Sequence, residues 1–314
     1  MNDLVSIVIP TCGKHDYLAA CLGSIQQQTH RSIEVIVIDN SFDPAVAVKA
    51  RSIYPAVQIY PAEHNLFYCD SMNKGIELSH GEFVLCLNDD VTLEARFIEV
   101  ALSGFSKQND IGMVSGKILR QDGRTIDSTG LFLSVWRTAR ERGYGQPDVG
   151  QLDEEGRIFG VSGAAAFYRR KMLDVIKLNN DWFDPAFRIF YEDLDVAWRA
   201  NRCGWTAYYM PRALAYHVRG GSVRENTGVG RSFARQYLSD ELNVDLIKNR
   251  YLAMMRNETL ASFVLCLIPI LLHDLCAWGY VLLFKPQIAG RIVAGLAKAR
   301  RSRQRSTLFR EERT

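Results

Sequence analysis

Short apolar runs alternate with helical patterns along the first third of the chain. Val5-Ser6-Ile7-Val8-Ile9 is a mainly β-branched run that ends at Pro10-Thr11. Leu18, Leu22 and Ile25 then recur at helical spacing within residues 16–28. Val35-Ile36-Val37-Ile38 predicts a second buried strand, closed by Asp39-Asn40; a helix follows over 44–53 and a third strand over 57–60. A helical stretch over 68–79 passes through His80-Gly81 into Phe83-Val84-Leu85-Cys86-Leu87, which ends at Asn88-Asp89-Asp90. This alternation predicts an α/β, Rossmann-like fold of right-handed βαβ units, its parallel sheet covered on both faces. Such sheets bind ligands beyond the carboxyl ends of their strands. The first, second and fourth predicted strands end in polar residues, so candidate chemistry gathers where that fold holds a ligand.

Beyond residue 112 the pattern loosens. Met113-Val114-Ser115-Gly116 and residues 161–168 predict strands, 143–156 a flexible excursion, 192–203 a helix and 206–210 a strand. Within that helix Leu194, Ala197 and Trp198 share one face, while Glu192, Asp195 and Arg199 lie opposite. Asp195 and Arg199 are spaced as an i, i+4 ion pair. Asp193 falls on the flank of the apolar stripe, turned partly toward protein. Burial raises a carboxylate's pKa and makes it a better general base, so spacing singles out Asp193. Glu192 and Asp195 are accounted for as acids that complement a helix start.

Asn88-Asp89-Asp90 is open to two readings. Asn and Asp favour turns and helix caps; acidic oxygens are also hard ligands for Mg²⁺ or Mn²⁺, whose remaining oxygens a diphosphate would supply. Asp39 at a neighbouring strand end favours the second reading. On spacing alone His217 is more readily a structural or exposed histidine than a ligand. Gly220-Gly221, flanked by Arg219 and Arg224, predicts a loop able to fold over phosphates.

Charge changes the picture at the C-terminus. The chain carries +3 overall, but from Lys285 onward nine Lys/Arg face two Asp/Glu, leaving a mildly acidic body with a basic tail. Such a tail suits an anionic surface. Residues 259–284 hold no Lys, Arg or Glu and are long enough to span a bilayer, but Pro269 is expected to divide the run and His273-Asp274 sits near its middle. After Pro286, Ile288, Ile292, Val293 and Leu296 form a stripe opposite Arg291, Lys298 and Arg301, as on a helix lying in an anionic membrane surface. Interfacial contact is favoured over a true span, a buried helical pair or a dimer interface. Nucleic acid is not expected, because the basic residues lack an aromatic stacking platform. The seven cysteines form no Cys-x-x-Cys pair and read as buried thiols of a reducing compartment. No secretory signal pattern opens the chain, which predicts the cytoplasmic face of the inner (plasma) membrane, peripheral or monotopic.

Taken in order, several segments resemble glycosyltransferase family 2, the inverting enzymes of the GT-A fold. They are Ser6-Ile7-Val8-Ile9-Pro10-Thr11, Val37-Ile38-Asp39-Asn40-Ser41, Asn65-Leu66 with Asn73-Lys74-Gly75, and 81–91. Further on come Gly160-Val161-Ser162-Gly163-Ala164, Phe183-Asp184 with 191–199, and His217. The spacing of Phe183-Asp184 to Tyr191-Glu192-Asp193 is similar to that of bacterial rhamnosyltransferase-like enzymes of cell-surface polysaccharide synthesis. The resemblance implies a nucleotide-sugar-binding catalytic domain over 1–224 and a helical, membrane-associating extension over 225–314. It implies Pro10, Thr11, Asp39, Asn65, Asn88 and Asp89 as donor-binding residues, Asp90 and His217 as ligands of Mg²⁺ or Mn²⁺, and Asp193 as catalytic base. Asn88 departs from the first acid of the family's Asp-x-Asp motif. The Gln-x-x-Arg-Trp motif of processive polymerases is absent, which predicts one sugar per encounter. The implied partners are a nucleoside-diphosphate sugar and a glycan or polyprenyl-linked glycan acceptor. A polyprenyl-phosphate sugar transferase, a sugar nucleotidyltransferase and a non-catalytic binding module are the alternatives. The second of these is disfavoured because Pro10-Thr11-Cys12-Gly13-Lys14 is a poor version of its Gly-rich basic loop.

Overall fold

A computed structural model of the chain describes the backbone of residues 3–13, 17–219 and 238–311, and side chains among these up to residue 300. The first half follows the alternation of its sequence: β1 (Val5–Thr11), α1 (Tyr17–Gln26), β2 (Ile33–Asp39), α2 (Pro44–Ile53), β3 (Gln58–Pro61), α3 (Phe67–Leu78) and β4 (Phe83–Leu87). β1 runs parallel to both β2 and β4, and β2 to β3. Successive residues of β1 feed two cores. Val5, Ile7 and Ile9 pack with Leu18, Leu22 and Ile25 of α1, and Val8 packs with Cys69, Met72 and Ile76 of α3. Gly75 lets α3 press on the sheet, since a Cβ there would stand 2.1 Å from Val8 Cγ1.

The second half is β5 (Val91–Leu93), α4 (Phe97–Phe105), β6 (Ile111–Arg120), β7 (Ile126–Ser128), β8 (Leu131–Leu133), β9 (Ala139–Glu141), β10 (Gly156–Ile158), β11 (Ala165–Arg169), α5 (Arg170–Val175), α6 (Glu192–Arg202) and β12 (Thr206–His217). Here the sheet departs from the expected all-parallel arrangement. Its order is β10-β12-β6-β11-β4-β1-β2-β3, with β5 and β7 joined to β12 and β6. The crossover from β4 through α4 to β6 leaves a slot, which β11 fills antiparallel to both neighbours. β8 and β9 form a separate hairpin.

Three local expectations change. The strand expected over 161–168 begins only at Ala165, and residues 161–164 form a loop. The strand expected over 206–210 continues to His217 across a register shift between Met210 and Leu214. The excursion over 143–156 is pinned rather than loose: Lys117 Nζ lies 3.0 Å from both oxygens of Asp148 and also pairs with Asp153. Of the seven cysteines, Cys21, Cys69 and Cys86 are buried, whereas Cys12, Cys203 and Cys276 are exposed, so the expectation of buried thiols holds for only part of the set.

The C-terminal region comprises α7 (Asp240–Asn257), α8 (Leu260–Leu265), α9 (Leu267–Phe284) and α10 (Ala289–Glu311). α7 covers the polar face of α6. Asp195 is fully buried there, accepting from Arg199 Nε and Asn257 Nδ2, each at 2.8 Å. The predicted ion pair is present, but protein rather than solvent covers its face. Asn249 of α7 donates to the carbonyls of Phe187, Ile189 and Phe190, holding the loop that enters α6.

The apolar run behaves differently from expectation. It breaks at Cys266, and Pro269 sits in the first turn of α9, where the missing amide costs no hydrogen bond. Asp274 faces α7 and pairs with Arg250, while Trp278 Nε1 donates to Tyr251 Oη at 2.9 Å and Lys285 reaches Asp240 at 2.9 Å. α9 thus lies antiparallel along α7, and among the described residues it is the helix long and apolar enough, by length and composition, to cross a membrane. Its outer face, including Ile268, Leu271, Leu275, Leu282 and Leu283, is exposed. Of the stripe expected to meet a membrane after Pro286, Ile288 and Ile292 are instead buried against Ile247 and Val281, and only Val293 stands out.

Candidate functional site

The ends of β1, β2 and β4 build one side of the site. Parallel register sets Thr11 opposite Asp39. Asp39, 4% exposed, accepts from the Ser41 amide at 2.8 Å. Thr11 Oγ1 donates to Asp89 Oδ2 at 2.6 Å, and Pro10 precedes it half-buried on the same strand. Asn65 is exposed and accepts from the Phe67 amide at 2.8 Å, while Asn40, just after β2, accepts from the Leu66 amide at 2.8 Å. That corner therefore belongs to the same strand end. Burial raises the Asp89 carboxyl, and neighbouring Asp90 adds to the effect; despite the Thr11 hydroxyl it reaches about 6.

Asp90 and His217 meet because β5 starts at the next residue and pairs antiparallel with β12, setting Val91 opposite His217. The Val218 amide donates to the Asp90 carbonyl at 3.0 Å. His217 places Nε2 3.2 Å from Asp90 Oδ1 and Nδ1 2.8 Å from Asp127 Oδ2. Burial opposes the charged imidazole, but its bonds to Asp127 and Asp90 outweigh that and lift it to about 9. Asp127 is fully buried. Its desolvation is overcome by His217 and Arg219, which hold its carboxyl below the ordinary range.

A carboxylate behind one ring nitrogen is how proteins orient a histidine ligand, and here the second nitrogen is turned to Asp90. One nitrogen and one carboxylate oxygen suit Mn²⁺ or Mg²⁺ if other oxygens come from elsewhere. Among the described residues no three His, Cys, Asp or Glu side chains are grouped to hold an ion unaided. Asp127 is a functional candidate that sequence reasoning missed: in Ile126-Asp127-Ser128-Thr129-Gly130 it looks like a turn acid. Arg219 is engaged with Asp127; Gly220, Gly221 and Arg224 lie outside the described residues.

The other side is built around Asp193 at the start of α6. Its Oδ2 accepts from the Gly163 amide at 3.0 Å and its Oδ1 from the Leu194 amide at 2.7 Å. Three residues shortly before or at the entry to the helix, Arg188, Phe190 and Tyr191, have positive φ, so backbone strain is concentrated there. Burial raises the Asp193 carboxyl despite those amides. Glu192 is pushed up further by burial and by Asp193, and its Oε2 has no hydrogen-bond partner among the described residues.

Asp193, Glu192 and Glu141 line a cavity of about 680 Å³ that extends to Trp136, Leu272 and His273. Asp39, Asp89, Asp90 and His217 do not line it. The two sides are joined by the loop 162–164. The Asn88 amide donates to Ala164 O at 3.0 Å, the Gly163 amide holds Asp193, and Ser162 Oγ donates to Glu141 Oε1 at 2.9 Å.

The sequence profile described as Glycosyl transferase family 2 matches residues 6–177. The N-acetylglucosaminyl-diphospho-decaprenol L-rhamnosyltransferase of Mycobacterium tuberculosis is 23% identical over 251 residues, covering 71% of this chain and 78% of that protein. Among solved structures, the mannosyltransferase PcManGT of Pyrobaculum calidifontis, in complex with GDP-Man and Mn²⁺, aligns with a TM-score of 0.55 at 16% identity, over 94% of this chain and 74% of its own. GalNAc-T7 with UDP, GalNAc and Mn²⁺ aligns with a TM-score of 0.59 at 14% identity, over 80% of this chain; the alignment spans 48% of its own length. At such identities the likeness establishes the architecture, which is the GT-A fold.

Proposed function

The chain belongs to glycosyl transferase family 2, and on that premise we propose that it moves a sugar, with inversion, from a nucleoside-diphosphate sugar to a hydroxyl of a lipid-linked glycan. The observation that carries this reading is the loop 162–164, which bonds the Asn88 amide at one end and Asp193 near the other. A nucleotide seated at the ends of β1, β2 and β4 would direct its sugar toward that carboxylate.

Asp193 takes the proton of the acceptor hydroxyl. That oxygen attacks the anomeric carbon from the face opposite the diphosphate, and the electrons of the breaking carbon–oxygen bond leave with the diphosphate. Asp90 and His217 would hold a divalent ion, with Asp127 fixing the imidazole; when bound, the ion supplies positive charge for the departing diphosphate. Thr11, Asp39, Asn65, Asn88 and Asp89 are assigned to the donor, with Pro10 shaping the strand end. Residue 88, Asn here, joins the loop bridge through its backbone N–H, a contact that does not depend on the side chain.

The name of the Mycobacterium tuberculosis relative, a rhamnosyl transfer to a sugar diphosphodecaprenol, supports rhamnose as the sugar and a diphosphate-linked isoprenoid acceptor. The exposed apolar outer face of α9 supports a monotopic place on the membrane; the reading puts it on the cytoplasmic side. Incubation with dTDP-rhamnose, or with UDP-linked hexoses, Mn²⁺ and N-acetylglucosaminyl diphosphate on a short isoprenoid chain tests the reading. The expected product carries the new sugar with inverted anomeric configuration by NMR. Retained configuration, or transfer only to a lipid monophosphate, overturns it.

A further inference from the structure

We propose, on the functional assignment above, that the cavity between the β8–β9 hairpin and α9 is the acceptor site, that Glu141 grips the acceptor sugar within it, and that α9 supports the start of the lipid chain. Glu141 ends β9 and is held by both of its oxygens. Ser128 Oγ donates to Oε2, and Ser162 Oγ donates to Oε1 at 2.9 Å. These serines belong to two dipeptides that also fix the other ionisable groups. Asp127, beside Ser128, holds His217; Gly163, beside Ser162, holds Asp193. Glu141 is thus clamped between the ion side and the base side of the reaction.

A structural role alone does not account for this placement. The carboxyl lines the same cavity as Asp193 and Glu192, and no lysine or arginine forms an ion pair with it at close range among the described residues. Burial and then the charge of Asp193 raise it to about 7, only partly offset by the Ser128 hydroxyl and by Arg219. A protein that needed only packing here would be better served by an apolar side chain. A sugar, with adjacent hydroxyls that donate and accept, satisfies a carboxyl in either protonation state.

The lining contributed by α7 and α9 is chemically different. Leu246 of α7 and Leu272 and Cys276 of α9 face the cavity, and Leu272 is 50% exposed. It adjoins the outer surface of Ile268, Leu271 and Leu275. The cavity therefore combines the carboxylates of β9 and α6 with apolar residues of α7 and α9, the latter beside His273 and next to the exposed face of α9. That mixed lining matches an amphiphile whose sugar meets the carboxylates and whose chain leaves along α9.

Calorimetric titration of the N-acetylglucosaminyl diphosphate probes, with and without the short isoprenoid chain, tests the proposal in the presence of Mn²⁺ and nucleoside diphosphate. Loss of hydrogen bonds to a charged or polar sugar partner predicts about 10- to 100-fold weaker binding of both probes by Glu141→Gln. Its nucleotide affinity should stay within about twofold. Leu272→Ser should weaken only the chain-bearing probe, about fivefold or more. Unchanged probe affinity in Glu141→Gln, or an equal fall in nucleotide affinity, overturns the assignment. Should Glu141→Gln fail to fold, Ser128→Ala and Ser162→Ala loosen the carboxyl without removing it; probe affinity unchanged in both overturns the proposal. A wild-type protein that binds nucleotide sugar yet never responds to either probe removes the functional reading itself, an outcome distinct from a wild type and a Glu141→Gln variant that respond alike.

Discussion

On the donor side, Thr11, Asp39 and Asn88-Asp89-Asp90 each close a strand of the parallel half of the sheet, and strand register alone brings them together. On the acceptor side, Glu141 comes from a hairpin, Ser162-Gly163 from a loop, Asp193 from a helix start and Leu272 from the C-terminal helices. The first arrangement is one that any open parallel sheet provides at its carboxyl edge. The second exists only because unrelated segments pack on one another. The donor side should accordingly tolerate change around it and respond to its own residues, whereas the acceptor side should respond to residues far off in the chain.

The largest effect is expected where the two sides meet. Asp193→Asn preserves the size and shape of the side chain and can keep one of its two backbone-amide contacts, but removes the proton acceptor. Turnover should fall by about 10²–10⁴-fold, with nucleotide affinity unchanged by calorimetry. Near-normal turnover would take Asp193 out of its role and leave the acceptor side without a base.

Next comes the ion. Asp127→Asn leaves Asp90 and His217 in place but removes the charge that orients the imidazole. Loss of such a partner typically costs about 10–100-fold in metal affinity. Mn²⁺ titration in the presence of nucleoside diphosphate should show that loss, and Asp90→Ala should abolish the dependence of nucleotide binding on Mn²⁺. If Asp127→Asn binds Mn²⁺ normally, the carboxylate behind His217 is only structural.

A third contrast lies between the two faces of α9. Ile268, Leu271 and Leu275 are 72%, 57% and 73% exposed, so replacing all three with Ser should leave the melting temperature nearly unchanged. Each such side chain contributes roughly 1–2 kcal/mol when it leaves water. Vesicle partitioning by sedimentation should therefore drop by more than about tenfold. Equal sedimentation would show that this face meets something other than lipid.

How far the sequence reveals these features follows the same division. The strands and helices up to Leu87 were legible because apolar residues recur at periods the backbone enforces, and because Asp39 and Asn88-Asp89-Asp90 follow strands directly. Asp193 stood out as well, since its angular position on α6 follows from its neighbours. Glu141 and Asp127 gave no such signal. Each lies in a strand of three residues, too short to set a period, and its partners are distant in sequence. The covered face of α6 was also hidden: spacing shows Asp195 and Arg199 as an i, i+4 pair opposite the apolar stripe, and only the position of α7 buries them. Pro269 misled because its effect depends on where the helix begins. In the first turn it is compatible with an unbroken helix.

The smallest predicted effect separates stability from function at Glu141. Its folded carboxyl is raised to about 7 from an ordinary 4.5, mainly by burial. The folded state then binds more protons than the unfolded chain between those values, so wild-type stability falls as pH rises through that window. The full loss is at most about 3 kcal/mol above pH 7. Glu141→Gln cannot ionise and should escape it. The variant should gain on the wild type in denaturant unfolding as pH goes from 5 to 8, by less than that bound because the serine bonds also change. A variant that binds acceptor worse while holding its fold better at pH 8 is what a residue kept for its substrate predicts. A carboxyl kept for the fold predicts the opposite: lower stability at every pH, with acceptor affinity falling only as the fold does.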